Sequence, residues 1–142
     1  MTRYLLDTNI VSNPSRAHPH PPIVDWIGAQ QAGDLFISTF TIAEIRKGIL
    51  LMPAGRKRNE LQLWFDSSTG PLSPFQGRIL PFDEAAALEW AKLIADGFLK
   101  GKPRSGLDMI VAAVALANNC TLVTANEKHF RDVVPFLNPT RS

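Results

Sequence analysis

The chain reaches its first carboxylate after one very short apolar run. Tyr4, Leu5 and Leu6 have strand character and stop abruptly at Asp7, Thr8 and Asn9, whose side chains compete for neighbouring backbone groups and so favour caps and turns. A strand that short, opening a chain and ending in an acid, fits the central strand of a parallel sheet. The C-terminal edge of such a sheet is where open α/β folds keep their chemistry. Asp7 therefore has two readings: the N-cap of the next helix, or the first residue of a site.

A chain of 142 residues fits a single domain, 1–142, able to bury about 70% of its extended surface without covalent staples. One cysteine, Cys120, permits no intramolecular disulfide and suggests no thiolate metal site, so a reducing compartment is expected. No apolar run approaches the ~20 residues of a membrane span, and Asp7 interrupts the N-terminus before any signal-like apolar core. A soluble, cytoplasmic protein follows as the expectation. The net charge of +2 is unevenly spread: Arg46 and Lys47, Arg56 to Arg58, and Lys100, Lys102 and Arg104 are clustered. Such clusters are solvated faces unless the fold brings them to the mouth of an acidic site, where they can hold phosphate.

In chain order, a helical turn is expected over Asn9 to Ser12. Pro14, Pro19, Pro21 and Pro22 then argue against any regular element from Asn13 to Pro22, and His18 and His20 there lack a third ligand for a metal. A helix is expected over Ile23 to Gln31, ended by Gly33, and a buried strand over Leu35 to Ser38. The next helix, Thr41 to about Met52, carries Ile42, Ile45 and Ile49 on one side. Glu44 lies roughly opposite Ile42, in line with Gly48 and Leu51, and is either a surface acid or one facing an open cleft. After Pro53 to Gly55, a basic amphipathic helix from Arg56 to about Ser67 completes a helical hairpin at about 41–67. Arg78 to Phe82 reads as a third strand. Asp83 caps a helix to about Phe98, with Leu88, Ala91 and Ala95 as its packing stripe and Trp90 and Leu93 widening it. Trp26, Trp64 and Trp90 all fall on expected helices and read as packing or interface residues, with nucleobase stacking as the alternative.

The run from Ser105 to Asn119 is nearly all apolar after Asp108, so this helix should be buried on most sides. An acid leading a buried helix gains ~0.3–1 kcal/mol from the helix dipole, but its desolvation costs more unless it is paired, hydrogen-bonded or metal-bound. Cys120 to Thr124 is a fourth strand, which leaves Thr124 and Asn126 at its C-terminal edge, like Asp7; Asn126 is either a turn residue or part of the site. His129 reads as a surface or packing histidine, with a general base as the alternative, and Val133 to Leu137 as a fifth strand. Strands joined through helices give an α/β fold: a three-layer αβα sandwich with a mostly parallel sheet of about five short strands. Asp7, Glu44, Asp108 and Asn126 would converge at one end of it. Three carboxylates with no matching histidine or cysteine are hard oxygen ligands suited to Mg²⁺ or Mn²⁺, and such cations serve phosphodiester hydrolysis.

Three stretches, LLDTN at 5–9, TIAEIRKG at 41–48 and DMIVAAVALANNCTLVTANEKHF at 108–130, together with their spacing, resemble PIN-domain ribonucleases. Within that superfamily they most resemble the VapC-type toxins of type II toxin–antitoxin pairs, and the likeness covers nearly the whole chain. It implies a homodimer, cleavage of RNA with Mg²⁺ or Mn²⁺, and a small cognate antitoxin that holds the nuclease inactive. By likeness, Asp7, Glu44 and Asp108 match the three acidic ligands, and Thr124 matches the hydroxyl residue that precedes the fourth polar position. That position is Asn126, where many relatives carry aspartate; asparagine adds no charge and weakens the case for a tightly held second metal. The expected catalytic set is Asp7, Glu44, Asp108 and Asn126, with Thr124, Asn9, Arg46 and Lys47 positioning substrate. A non-catalytic RNA- or partner-binding module on the same fold is the alternative. A haloacid-dehalogenase-like phosphatase is disfavoured, because Asn9 stands where its second aspartate would be.

Overall fold

The structure, a computed structural model, describes residues 2–141. Tyr4–Leu6 form β1, the middle of a five-stranded sheet of order β3-β2-β1-β4-β5, in which β2 is Leu35–Ser38, β3 Ile79–Leu80, β4 Thr121–Val123 and β5 Phe136–Leu137. Every pairing is parallel. The chain builds outward from β1 to β2 and β3, then returns to place β4 on the other side of β1. Strand order therefore reverses between β1 and β4, and parallel strands leave a crevice beyond their C-terminal ends at such a reversal.

Successive strand residues face opposite sides of the sheet, which divides the core in two. On one side Leu5, Phe36 and Leu122 meet the buried run Val111 to Ala115 of α6 (Asp108–Ala117), against which α5 (Glu84–Leu99) packs. On the other side Leu6, Leu35, Ile37 and Val123 meet Ile10 of α1 (Thr8–Val11) and Ile23 and Trp26 of α2 (Pro21–Gly28). Helices on both faces make the expected three-layer sandwich. The helical hairpin is present as α3 (Thr39–Leu50) and α4 (Arg56–Asp66). The Arg46 guanidinium lies over the Phe65 ring, 4.7 Å from its centroid, and 3.8 Å from Asp66, so it bridges the two helices of the hairpin. Among the described residues no helix is long and apolar enough to cross a membrane.

Local expectations are corrected at three places. The proline-rich stretch is not wholly irregular: Asn13–Ser15 form a 3-10 turn, and α2 starts at Pro21, two residues earlier than expected, and stops at Gly28 rather than near Gln31. Pro21 and Pro22 occupy the first helical turn, where their missing N–H groups would have had no intrahelical acceptor. The stripe that packs on α5 is Ala86, Leu93 and Gly97, joined by Trp90, whose indole N–H donates to the Gly106 carbonyl at 2.9 Å. Leu88, Ala91 and Ala95 lie on the exposed side instead. Both sets have helical spacing, and only the position of α6 selects between them. The outer strands are also shorter than expected, with β3 and β5 reduced to two residues each.

The loop from α5 to α6 folds back onto α5. Lys102 N–H donates to the Gly97 carbonyl at 2.9 Å, and the Arg104 guanidinium donates to the Leu93 carbonyl at 2.8 Å and pairs with Asp96 at 3.0 Å. A Cβ on Gly97 would stand 2.8 Å from the Lys102 carbonyl oxygen and 3.0 Å from Arg104 Cγ. Gly97→Val should therefore lower the unfolding free energy by ~1–3 kcal/mol through overpacking, outweighing a helix-propensity gain of a few tenths of a kcal/mol. A urea midpoint equal to that of the wild type would contradict this packing.

Candidate active site

The end of β1 is joined to the end of β4 by a polar knot. Asp7 N–H donates to the Val123 carbonyl at 2.9 Å, and Asp7 then caps α1, one carboxylate oxygen accepting from Thr8 N–H at 2.8 Å. Its other oxygen accepts from the hydroxyl of Thr124, a fully buried residue, at 2.8 Å. Asp7 is thus a cap, and it also lines a cavity. Asn9 reinforces the join, its amide nitrogen 3.4 Å from Asp7 Oδ2 and its Oδ1 accepting from Ala125 N–H at 3.1 Å.

The crevice at the strand reversal is a cavity of about 260 Å³ into which Asp7, Glu44, Asp108 and Asn126 all project. Glu44 enters from α3, whose start is pinned by Ser38 accepting from Thr41 N–H; the Thr8 hydroxyl donates to Glu44 Oε1. Asp108 enters from the first position of α6, its Oδ2 3.3 Å from His129 Nδ1. Asn126 follows β4; its N–H donates to Thr124 Oγ1 at 3.0 Å, and its side chain is not spent capping the 3-10 turn Glu127–His129. Leu107, Phe40 and Phe130 supply apolar wall.

All four residues expected to be catalytic are thus gathered in one cavity, and Thr124 and Asn9 stand directly behind Asp7. Arg46 and Lys47 do not line it: Arg46 is engaged with Phe65 and Asp66, and Lys47 is exposed on α3. Two further residues support the acids. Thr8, which is not among the expected site residues, donates its hydroxyl to Glu44, while His129, exposed as expected, stands with Nδ1 3.3 Å from Asp108 Oδ2. No local pattern marks either one, since each acts on a residue from a distant part of the chain.

Among the described residues no three His, Cys, Asp or Glu side chains stand close enough together to hold a metal ion as they are placed. Each acid is instead turned to its own neighbour: Asp7 to Thr124, Glu44 to Thr8, Asp108 to His129. The donor chemistry nevertheless suits a hard divalent cation, because three carboxylates and an amide oxygen share one cavity. Their electrostatics point the same way. Burial raises the Asp7 carboxyl above its ordinary value; hydrogen bonds from Thr124 and Thr8 oppose this, and the charges of Glu44 and Asp108 add to the rise.

Comparison with known proteins identifies a family. The family model described as the PIN domain matches residues 4–134. The plasmid stability protein StbB of Pseudomonas syringae pv. tomato is 39% identical across 93% of this chain and 89% of its own length. The VapC ribonuclease Y4jK of Sinorhizobium fredii is 36% identical across 93% of this chain and 89% of its own. Among solved structures, FitAcB from Neisseria gonorrhoeae superposes with a TM-score of 0.90 at 34% identity, covering 98% of this chain and 99% of that one.

The raised Asp7 carboxyl makes a pH prediction. A carboxyl whose folded pKa exceeds its unfolded one contributes stability that is complete below the unfolded value, here near 3.8, and is lost as pH rises through the folded value. Asp7→Asn keeps the shape and removes the charge. In metal-free buffer this variant should melt above the wild type at pH 7, with the difference shrinking as pH falls toward 4. A difference of the same size at both pH values would show that Asp7 ionisation carries no folding cost.

Proposed function

Because the chain belongs to the PIN-domain family, we propose that it is a Mg²⁺- or Mn²⁺-dependent endoribonuclease and the toxin of a toxin–antitoxin pair. The observation that carries this reading is the single cavity at the strand reversal that receives Asp7, Glu44, Asp108 and Asn126. Asp7 and Asp108 are the main ligands, and Glu44 completes the acidic set or orients water. When bound, the cation supplies Lewis acidity to the scissile phosphate and makes water a stronger nucleophile near neutral pH. The remaining roles belong to the protein's own groups. Thr124 and Asn9 aim the Asp7 carboxylate, Thr8 holds Glu44, and His129 holds Asp108. Asn126 offers an uncharged amide to the substrate. Water adds to phosphorus and the P–O3′ bond breaks, which leaves a 5′-phosphate and a 3′-hydroxyl. Lys47, exposed on α3, is free to meet the RNA backbone farther out, whereas Arg46 serves the hairpin first.

The antitoxin reading has its own support. An apolar groove of about 310 Å³ runs beside the acidic cavity between α1, α3 and α4, with Ile45, Ile49, Met52 and Leu61 along it, and Thr8, Ser12 and Glu44 line both spaces. A segment that orders on binding can lay an apolar helix in this groove and send an arginine fork to the carboxylates. Leu88, Phe98 and Leu99 leave an apolar exposed face on α5, which suits a two-fold homodimer.

Purified protein should cut single-stranded RNA in Mg²⁺ or Mn²⁺ and lose that activity in chelator and in Asp7→Asn; cleavage surviving both would sink the nuclease reading. Metal should also raise the melting temperature of the wild type, by the equivalent of about 2.7 kcal/mol at 100 times its Kd. Thr124→Val should weaken metal binding by ~10–100-fold. A metal-induced shift that is identical in wild type and Asp7→Asn would place the cation elsewhere. Expression alone should arrest growth, and co-expression with the adjacent small open reading frame should restore it and yield a co-purifying complex without ribonuclease activity. A harmless protein that ignores the neighbouring product would remove the toxin role and leave the nuclease in place.

A further inference from the structure

A second cavity, of about 490 Å³, adjoins the acidic one at Asp108, which lines both. Its two walls grow directly out of the acidic site. One is the α5–α6 loop leading into Asp108, and the other is the 3-10 turn Glu127–His129 that follows Asn126. Its character is reversed: Lys100, Lys102, Arg104, Lys128 and Arg131 line it, against only Asp108 and Asp132 among acids. Three of these cations are already paired. Lys100 lies 3.2 Å from Asp96, Arg104 lies 3.0 Å from Asp96, and Arg131 lies 3.3 Å from Glu127. Lys102 and Lys128, one on each wall and both exposed, have no acidic partner among the described residues.

A polyanion must be brought to three carboxylates by positive charge placed close by, since a net charge of +2 gives little long-range pull. The hairpin cluster is poorly placed for this. Arg46 is held by Phe65 and Asp66, Arg56 is paired with Glu60 at 2.9 Å, and none of Arg46, Lys47, Arg56, Lys57 and Arg58 lines the acidic cavity or the apolar groove beside it, so Lys47 meets the backbone only farther out. The basic cleft shares a wall with that cavity, and its loop is fixed by the bonds of Lys102 and Arg104 to α5. The geometry points to a path for the substrate: the RNA strand crosses Asp108 from the acidic cavity into the basic cleft, where Lys102 and Lys128 hold successive phosphates. These two lysines are positioning residues, and the inference rests on the ribonuclease reading above for its substrate.

The test uses the full chain and a fluorescein-labelled single-stranded RNA oligonucleotide. Anisotropy is measured in the Asp7→Asn background so that the RNA stays intact, and cleavage kinetics are measured in the active enzyme. Lys102→Ala/Lys128→Ala should weaken RNA binding about tenfold at low salt and make the salt dependence shallower by about 1.4 in log–log slope, the value for two lost phosphate contacts to a single strand. In the active enzyme it should raise KM with kcat little changed, and Lys102→Arg/Lys128→Arg should restore both readouts. Lys92→Ala, which removes one charge on the outside of α5, should change neither. Unchanged affinity and slope in the double alanine variant overturn the inference, as does a loss found instead in Lys57→Ala/Arg58→Ala, which would route the RNA over the hairpin. A wild type that cuts RNA while the double variant binds it normally leaves the nuclease reading intact and removes this path. A wild type that binds RNA through these lysines and cuts none does the reverse.

Discussion

The hydrogen bond from the buried Thr124 hydroxyl to the Asp7 carboxylate is the contact on which the rest of the site depends. It joins the ends of the two strands between which the sheet reverses, beside the Asp7 N–H to Val123 carbonyl bond that fixes their register. An ionised carboxylate among apolar strands is tolerated only when its oxygens are satisfied. Here Thr124, Thr8 and Asn9 supply the donors. Because Asp7 also caps α1, the same carboxylate sets where α1 begins, and hence where the Thr8 hydroxyl stands to meet Glu44.

Holding the acids together works against the fold. Burial and the neighbouring charges both oppose ionisation of Asp7, so the cavity stores unfavourable electrostatics that a hard cation can relieve. The protein localises that conflict. Most of the sheet's surroundings are apolar: Leu5, Leu122 and the α6 run on one face, Leu6, Ile37 and Val123 on the other. The cost therefore falls where the strands end and the ligand-sized space begins, which is the usual exchange of stability for a functional site.

Charge is sorted around one residue. Asp108 leads α6 into the core and separates an acidic cavity from a basic cleft. The loop before it is clamped to α5 by Arg104, and His129 holds its carboxylate from the far wall. A chain with a net charge of only +2 thereby presents opposite local charge on adjoining cavities.

Much of this was legible in the sequence, for a definite reason. Tyr4 to Leu6, Leu35 to Ser38, the apolar run after Asp108 and the strand before Thr124 declare themselves because local periodicity and capping chemistry act within a few residues. Asp7, Thr124 and Asn126 follow from them, since residues just past parallel strands must share one edge. What local pattern leaves open is any choice between equivalent faces or partners. The α5 helix carries two stripes of helical spacing, and only the presence of α6 buries Ala86, Leu93 and Gly97 rather than Leu88, Ala91 and Ala95. Likewise Arg46 and Lys102 look alike as members of basic clusters, yet folding turns one onto Phe65 and leaves the other beside the site. The pairing of His129 with Asp108 and of Thr8 with Glu44 is of the same kind. Local chemistry determined the elements and the edge on which the acids lie; long-range packing, which depends on every element at once, decided which charges and hydroxyls stand around them.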